Sequence, residues 1–287
     1  GRSMLEDLCH VPVLGVIPYM DIQIDEEDSV DLRNKHFQSA QGKVNVAVVL
    51  LRHLSNFTDF NTLERDERVH LYYTNNIEEL EKADIILLPG TKSTLSDLYE
   101  LRRNGVAQAI QRASRRGVTS KIPVFGICGG YQMMGREVCD PDGVEGDITR
   151  LPGLGLLPVT TTITGEKVTR QVEFRFRDAS TLCRGYEIHM GRTCPADEDG
   201  ARTLNTFPDG TSEGCCLGER CMGTYIHGIL DNRSVIDVLL APHAARLDSS
   251  AALDYEAFKN EQYDKLAAHV RAHLNMPLLY KILQDND

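Results

Sequence analysis

The stretch Pro123–Gly135 reads PVFGICGGYQMMG, an apolar run that passes through a cysteine and its flanking glycines into a predicted helix. Gly126, Gly129 and Gly130 leave room for a sharp strand-to-helix turn around Cys128. The same arrangement with serine is the Gly-x-Ser-x-Gly nucleophile elbow, which presents a side chain above the edge of an α/β sheet. Free N–H groups at a helix start stabilise a thiolate, and the N–H of Gly129 can donate to an oxyanion. The stretch therefore predicts an α/β protein with Cys128 as a candidate nucleophile.

Apolar runs rich in β-branched residues precede this stretch, at Lys43–Leu51, Val69–Tyr73 and Ala83–Gly90. Between residues 93 and 117, leucine, valine, isoleucine and alanine recur at helical spacing, which predicts a helix that ends at Gly117. Strands alternating with helices predict a mostly parallel sheet flanked by helices. After residue 151 further runs are strand-like, and TRQVEFRF (residues 169–176) alternates apolar and polar residues, which predicts an antiparallel extension of that sheet.

The pattern divides the chain into three parts. Residues 1–42 carry one short strand-like run, Val13–Ile17, followed by an acidic stretch, and one strand cannot form a domain. Residues 43–245 hold the alternating strands and helices. In residues 246–287, apolar residues at three- and four-residue spacing predict an amphipathic helix packed on the core.

Composition excludes several classes of function. Asp and Glu total 42 against 31 Lys and Arg, and this formal charge of −11 argues against a nonspecific nucleic-acid or anionic-membrane binder. The sequence shows neither an apolar run of membrane-spanning length nor a signal-peptide pattern, so we expect a cytoplasmic protein. The 8 cysteines form no Cys-x-x-Cys pair, and we expect neither a zinc site nor disulfides.

A nucleophilic cysteine needs a histidine close in space. Of the 9 histidines, His227 in GTYIHGILDN ends a short predicted strand beside a glycine, and His189 in YEIHMG competes because it does the same. Gly90 in IILLPGTKST ends another buried strand, and its N–H could be a second oxyanion donor. GTKST lacks the spacing of a phosphate-binding P-loop. A plainer alternative stays open, namely a tight turn around a buried Cys128 thiol.

Four blocks, LLPGTKST, VFGICGGYQMMG, GYEIHMGRT and GTYIHGILDN, resemble in order and spacing the glutamine amidotransferase domain of the cobyric acid synthase family. The resemblance runs from about Lys43 to the C-terminus and implies a class I glutamine amidotransferase-like fold of flavodoxin type. It implies that Cys128 attacks glutamine, that His227 is the base, and that Gly90 and Gly129 form the oxyanion hole. The ammonia would amidate corrinoid carboxylates on the way to cobalamin.

Residues 1–42 look like the end of that family's ATP-dependent synthetase domain. ATP and Mg²⁺ are therefore expected with the synthetase domain, and no cofactor or metal is expected in this chain. The partners that the resemblance implies are glutamine and, through the synthetase domain, a corrinoid, with a homo-oligomer as an open option. Ser55–Phe60, SNFTDF, also resembles family sequence, and we expect it to be a structural loop facing the synthetase domain.

The wider class of Cys-His-Glu glutaminases has a glutamate two residues after the histidine, where this sequence has Ile229. The resemblance therefore implies a Cys-His dyad, with Glu187 or Asp231 as candidates to orient the imidazole. Tyr131 and Gln132, on the first turn after the cysteine, either shape a glutamine pocket or pack.

Three alternatives to this assignment stay open. Two are sibling amidotransferases, cobyrinic acid a,c-diamide synthase and the enzyme that amidates lipid II of cell walls. The third is a docking domain without catalytic activity.

Overall fold

A computed structural model describes residues 1–22, 24, 35–115, 122–195, 200–247 and 255–284. Contacts divide the chain into two compact units, one of Gly1–Asp25 with Asp254–Asp287 and one of Glu26–Leu253. The α-helices are α1 Arg2–Cys9, α2 Asn61–Arg65, α3 Ile77–Leu80, α4 Thr94–Arg103, α5 Val106–Arg115, α6 Gly129–Met134, α7 Arg233–Leu240, α8 Tyr255–His273 and α9 Met276–Gln284. Short 3-10 helices cover Phe57–Phe60, Ile229–Asp231 and Ala241–Arg246.

The strands all belong to the larger unit. They are β1 Val44–Val49, β2 Val69–Thr74, β3 Ile85–Leu88, β4 Val124–Ile127, β5 Glu137–Cys139, β6 Arg150–Pro152, β7 Val159–Phe176, β8 Leu182–Pro195, β9 Ala201–Arg202, β10 Asn205–Thr206, β11 Ser212–Glu213, β12 Cys215–Leu217, β13 Cys221–Thr224 and β14 Ile226–His227.

The main sheet has the order β2-β1-β3-β4-β13-β12-β9. Its first five strands in that order pair in parallel. β12 then pairs antiparallel with β13, and β9 pairs antiparallel with β12. Strands β1, β3 and β4 are buried at every position, because helices cover a sheet of this kind on both faces and its strands must be apolar throughout. The predicted α/β class, with a mostly parallel sheet and an antiparallel extension, is confirmed.

A second sheet has the order β11-β10-β7-β5-β6, with β8 paired to β7 and β14 paired to β8. The runs that form β7 and β8 were expected to extend the main sheet, and for these two strands the expectation is wrong. Strands β7 and β8 form a long antiparallel hairpin in the second sheet, because β7 pairs in parallel with β5, the strand that follows α6. The antiparallel extension of the main sheet comes instead from β12 and β9.

The helix predicted over residues 93–117 is two helices, α4 and α5. Gly105 lies between them with φ +84°, a left-handed conformation that ends α4 and that glycine adopts without strain. The predicted stop at Gly117 lies outside the described residues.

The smaller unit contains α1, α8 and α9. Residues 13–17 do not form the expected strand. Gly15 makes an isolated β-bridge with Leu274, and the N–H of Asn275 donates to the Leu14 carbonyl (2.7 Å). This pairing takes the chain out of the helix after His273, so the tail forms two helices where one was expected. Most of the acidic stretch in residues 1–42 lies outside the described residues. The assignment of residues 1–42 and 246–287 to separate segments stays a prediction.

No helix in the described ranges combines the length and the apolar content that crossing a membrane requires.

Candidate active site

The candidate residues lie beyond the carboxyl ends of parallel strands of the main sheet. Cys128 follows β4, and Gly90 lies just after β3. His227 is the last residue of β14, which follows β13 after one intervening residue. Asp59 lies in the 3-10 helix beyond β1. Because parallel strands end at the same edge of their sheet, the topology brings these residues together.

Cys128 occupies a strained turn. Its φ of 53° and ψ of −110° place a non-glycine residue outside the usual regions, which costs about 1–3 kcal/mol and is typical of functional sites. The Cys128 N–H donates to the Thr224 carbonyl of β13 (2.8 Å), and its thiol donates to the Ile188 carbonyl of β8 (3.7 Å). The residue as a whole is 9 % exposed. The predicted elbow is therefore present, with its sulfur at the edge of the core.

The glycines of the elbow are required by close approach of the backbone. A Cβ on Gly126 would lie 2.8 Å from the carbonyl carbon of Gly130, and a Cβ on Gly130 would lie 2.0 Å from the Leu88 carbonyl oxygen of β3. Helix α6 thus starts directly against the main sheet, as the sequence predicted.

We expect Gly130→Ala to lower the free energy of unfolding by about 3 kcal/mol, because backbone atoms of β3 must move to admit the methyl group. Gly165→Ala in β7 is the matched control, since a Cβ there meets nothing within 4 Å. Urea unfolding of the two variants measures the difference. Equal stability of the two variants would mean that α6 does not need this close contact.

His227 is held by a carboxylate. Its Nδ1 lies 2.7 Å from Oδ2 of Asp59, and the neighbouring N–H of Gly228 donates to Oδ1 of the same residue (2.8 Å). The side chains of His227 and Asp59 are 0 % and 1 % exposed. Tyr186 stacks on the imidazole with ring centroids 5.3 Å apart. Both oxygens of Asp59 are thus engaged, which fixes the plane and the tautomer of the ring.

The charge balance around His227 favours the imidazolium. Burial is the largest single influence and disfavours the charged ring, but the Asp59 carboxylate and the Cys128 sulfur together outweigh it and raise the pKa of His227 to about 10. Asp59 acts on the ring through its hydrogen bond to Nδ1 as well as through its negative charge. His227 is therefore bonded to Asp59 and lies near enough to Cys128 for the sulfur to influence its pKa.

The loop that carries Asp59 is tied to the loop that carries Gly90. The N–H of Ser55 donates to the Gly90 carbonyl (3.0 Å), and buried Asp97 accepts from the Thr91 hydroxyl (2.5 Å) and from the His53 N–H (3.2 Å). The side-chain amide of Asn56 lies 3.2 Å from Nδ1 and 3.1 Å from Nε2 of the histidine. Asp59 is thus anchored from both its own loop and the next one.

The carboxylate on Nδ1 of His227 is that of Asp59, not of Glu187 or Asp231, the two residues expected to orient the imidazole. Glu187 forms an ion pair with Arg170 and lies 3.9 Å from Nε2 of His189. The residue that faces His227 across β8 and β14 is Tyr186, and successive side chains of a strand point to opposite faces. Asp231 accepts a hydrogen bond from the Thr62 hydroxyl (2.7 Å). The carboxylate that contacts His227 is therefore Asp59, which the sequence did not reveal.

A signal for Asp59 was present in the sequence. SNFTDF follows the first buried strand, so its polar residues had to lie at the carboxyl edge of the sheet, where Cys128 lies. The sequence alone gives the segment no chemical role, because nothing local indicates that Asp59 meets a histidine 168 positions away.

Gly90 and Gly129, the two expected oxyanion donors, lie close to the candidate catalytic residues. A Cβ on Gly90 would be 3.2 Å from Cε1 of His227, and a Cβ on Gly129 would be 3.1 Å from the Thr91 backbone nitrogen. The loop after β3 thus lies against the start of α6. This closeness is what two backbone donors to one oxyanion require.

Tyr131 and Gln132 are packed within the protein. Tyr131 makes an edge-to-face contact with Tyr225, with centroids 5.3 Å apart. The Gln132 amide accepts from the Thr94 hydroxyl (2.8 Å) and donates to the Met190 carbonyl (3.0 Å). Of the two open readings for these residues, the contacts favour packing.

His189, the competing histidine, stacks on Tyr225 with centroids 3.8 Å apart. Its Nε2 faces Glu187 rather than a cysteine. In the part of the chain that the structure describes, no group of three or more His, Cys, Asp or Glu side chains could hold a metal ion. The side chains of Cys128, His227 and Asp59 offer a thiol, an imidazole and a carboxylate.

Solved structures share this fold. A crystal structure described as that of a glutamine amidotransferase superposes with a TM-score of 0.52 at 17% identity, covering 69% of this chain and 98% of that one. The structure of PurLQS from Thermotoga maritima gives 0.50 at 18% identity, covering 69% and 98%. At such identities the likeness concerns the fold.

Sequence relatives are much closer. The chain is 68% identical over 288 residues to a cobyric acid synthase of Bacteroides fragilis, and 36% identical over 298 residues to a cobyric acid synthase of Clostridium novyi. These matches cover 100% and 99% of this chain, which spans 57% of the length of each relative. Residues 45–235 match the CobB/CobQ-like glutamine amidotransferase domain. The chain belongs to that family of glutamine amidotransferase domains.

Proposed function

We propose that this chain is the glutaminase part of a cobyric acid synthase and that it hydrolyses glutamine through Cys128, His227 and Asp59. The observation that carries the proposal is the contact between the Asp59 carboxylate and Nδ1 of His227. The sulfur of Cys128 is among the groups that raise the pKa of the same histidine. This order of carboxylate, imidazole and nucleophile is the one that thiol and serine hydrolases share.

In the first step, His227 takes the proton of the Cys128 thiol, and the resulting thiolate attacks the side-chain amide carbon of glutamine. A C–S bond forms, the C=O π electrons move to the oxygen, and this oxyanion accepts hydrogen bonds from the N–H groups of Gly90 and Gly129. When the tetrahedral intermediate collapses, the imidazolium of His227 gives its proton to the departing nitrogen. Ammonia leaves, and a glutamyl thioester remains on the sulfur.

In the second step, neutral His227 takes a proton from water while the water oxygen attacks the thioester carbon. Collapse breaks the C–S bond, glutamate leaves, and the thiolate and imidazolium are restored. Asp59 keeps the Nδ1–H tautomer through both steps, so that Nε2 can exchange protons with substrate and water.

The destination of the ammonia is proposed from the relatives. They are cobyric acid synthases in name, and the chain covers 57% of their length. The remaining length would carry the ATP-dependent synthetase activity, with its ATP and Mg²⁺. There the ammonia would amidate side-chain carboxylates of adenosylcobyrinic acid a,c-diamide in cobalamin biosynthesis.

Labelling with 6-diazo-5-oxo-norleucine, a reactive glutamine analogue, tests the proposal. We expect a single covalent adduct on Cys128, protected by excess glutamine, because the analogue reacts only with a thiolate placed at its side-chain carbonyl. Peptide mass spectrometry measures the adduct, with exposed Cys9 and Cys194 as internal controls. Equal labelling of these three cysteines, unaffected by glutamine, would contradict a glutamine site at Cys128.

A further inference from the structure

The chain changes sheets just before His227. Thr224 is the last residue of β13 in the main sheet, Ile226 is the first of β14 in the second sheet, and Tyr225 alone separates them. A strand that leaves its ladder must find other acceptors for its N–H groups, because buried backbone donors are costly to leave unpaired. This crossover is buried, so water is a poor substitute.

Glu213 supplies the acceptors at the crossover. Its Oε1 accepts from the N–H of Tyr225 (2.6 Å), and its Oε2 accepts from the hydroxyl of Thr224 (2.7 Å) and from the side-chain amide of Asn205 (2.7 Å). The Thr224 hydroxyl in turn accepts from the N–H of Ile226 (3.0 Å). The Glu213 carboxylate thus accepts directly from the backbone N–H of Tyr225 and is linked through the Thr224 hydroxyl to the backbone N–H of Ile226.

The approach of Glu213 depends on the residue after it. Gly214 has φ +71°, and a Cβ there would lie 2.6 Å from the Gly223 carbonyl oxygen of β13. The end of β11 therefore runs close against β13, with the Glu213 side chain turned inward. Burial raises the pKa of Glu213, while the hydrogen bonds from Tyr225, Asn205 and Thr224 act against that rise.

Both reacting groups are attached to this crossover. The Thr224 carbonyl accepts the N–H of Cys128 (2.8 Å), and His227 follows Tyr225 by two positions. An error in the path of residues 224–226 would therefore shift the sulfur and the imidazole relative to each other. Catalysis is sensitive to displacements of this kind.

We propose that Glu213 is a positioning residue that holds the crossover between the two sheets and thereby sets the distance between Cys128 and His227. The inference rests on the proposed glutaminase chemistry. Three donors converge on the two oxygens of Glu213, and a carboxylate accepts all three. An amide of the same shape has one acceptor oxygen and brings two donors of its own.

The test is Glu213→Gln in the 287-residue chain. We expect alkylation of Cys128 by iodoacetamide at neutral pH to slow by about tenfold, because a buried donor loses its acceptor and the crossover shifts. Peptide mass spectrometry gives the rate, with exposed Cys9 as internal standard. For glutamine hydrolysis, we expect kcat to fall by a similar factor with KM little changed. Glu219→Gln is the control, because that side chain is 83% exposed in the neighbouring turn.

A second variant separates positioning from loss of folding. In Asn205→Asp combined with Glu213→Gln, the amide at 213 can donate to the new carboxylate at 205, which can also accept from Thr224, because the Asn205 amide lies 3.1 Å from that hydroxyl. We expect this double variant to recover the alkylation rate to within about threefold of the original chain. Asn205→Asp by itself should not be neutral, since it places two carboxylates side by side.

Three results would overturn the inference. One is an alkylation rate in Glu213→Gln equal to that in Glu219→Gln. Another is a loss fully explained by the unfolded fraction measured on the same sample. The third is a folded double variant that stays as slow as Glu213→Gln. Because alkylation needs no turnover, a chain that fails to hydrolyse glutamine would count against the proposed function, and the Cys128 rates would still decide the role of Glu213.

Discussion

Cys128→Ala is expected to abolish glutamate release from glutamine, with kcat/KM falling by at least about a thousandfold. The substitution removes the atom that would form the thioester, and no other group near His227 can replace it as a nucleophile in the proposed mechanism. The oxyanion donors of Gly90 and Gly129 would remain, so any residual rate would report their contribution. A coupled glutamate assay on the purified chain, repeated with the whole enzyme, measures the loss.

Cys194→Ala is the matched control for this experiment, because Cys194 is an exposed thiol on β8, the strand that contacts Cys128. It should keep full activity. Unfolding curves of both variants exclude a difference in folding. Unchanged glutaminase activity in folded Cys128→Ala would show that the nucleophile has been assigned wrongly.

Asp59→Asn is expected to lower kcat by about a hundredfold to ten-thousandfold while leaving KM for glutamine within a few-fold. An asparagine keeps the shape but removes the charge, so the pKa of His227 falls and the ring loses the group that holds its tautomer. In the proposed geometry Asp59 lies on the far side of the ring from the substrate, which is why binding should be spared. Steady-state kinetics on glutamine separate kcat from KM.

Glu187→Gln and Asp231→Asn test whether another carboxylate has the role assigned to Asp59. Both carboxylates lie near the strand or turn that carries His227, but their hydrogen bonds go to Arg170 and to Thr62. Each substitution should lower kcat far less than Asp59→Asn does. If either matched it, or if Asp59→Asn were as active as the original chain, Asp59 would not be the third member of the site.

Much of the fold could be predicted because the signal is local. The runs at β1, β2, β3 and β4 are apolar and β-branched, and the structure places a parallel strand at each. The split of the helix over residues 93–117 was also encoded locally, in Asn104 and Gly105, but the periodicity of the leucines continued across it. The separate sheet of β7 and β8 could not be predicted, because alternation of apolar and polar residues marks a one-sided strand without identifying its neighbour.

The residues of the candidate site also divide into those with a local sequence signal and those without one. Cys128, with its glycines, could be recognised from one stretch because an elbow is built from consecutive residues. His227 was inferred from its place at a strand end. Asp59 and Glu213 were not found as members of the site, since each acts through a side chain whose partner is distant in sequence.

By itself, the sequence determined the α/β class, the strained turn at Cys128 and the strand that delivers His227, because these depend on hydrophobic periodicity and on glycine spacing within short stretches. Only the tertiary structure decided which carboxylate meets the imidazole. The sequence offers several acidic side chains for this contact. The choice among Asp59, Glu187 and Asp231 depends on strand order and on the sheet face that each side chain occupies. The residues next to the histidine in the sequence determine neither.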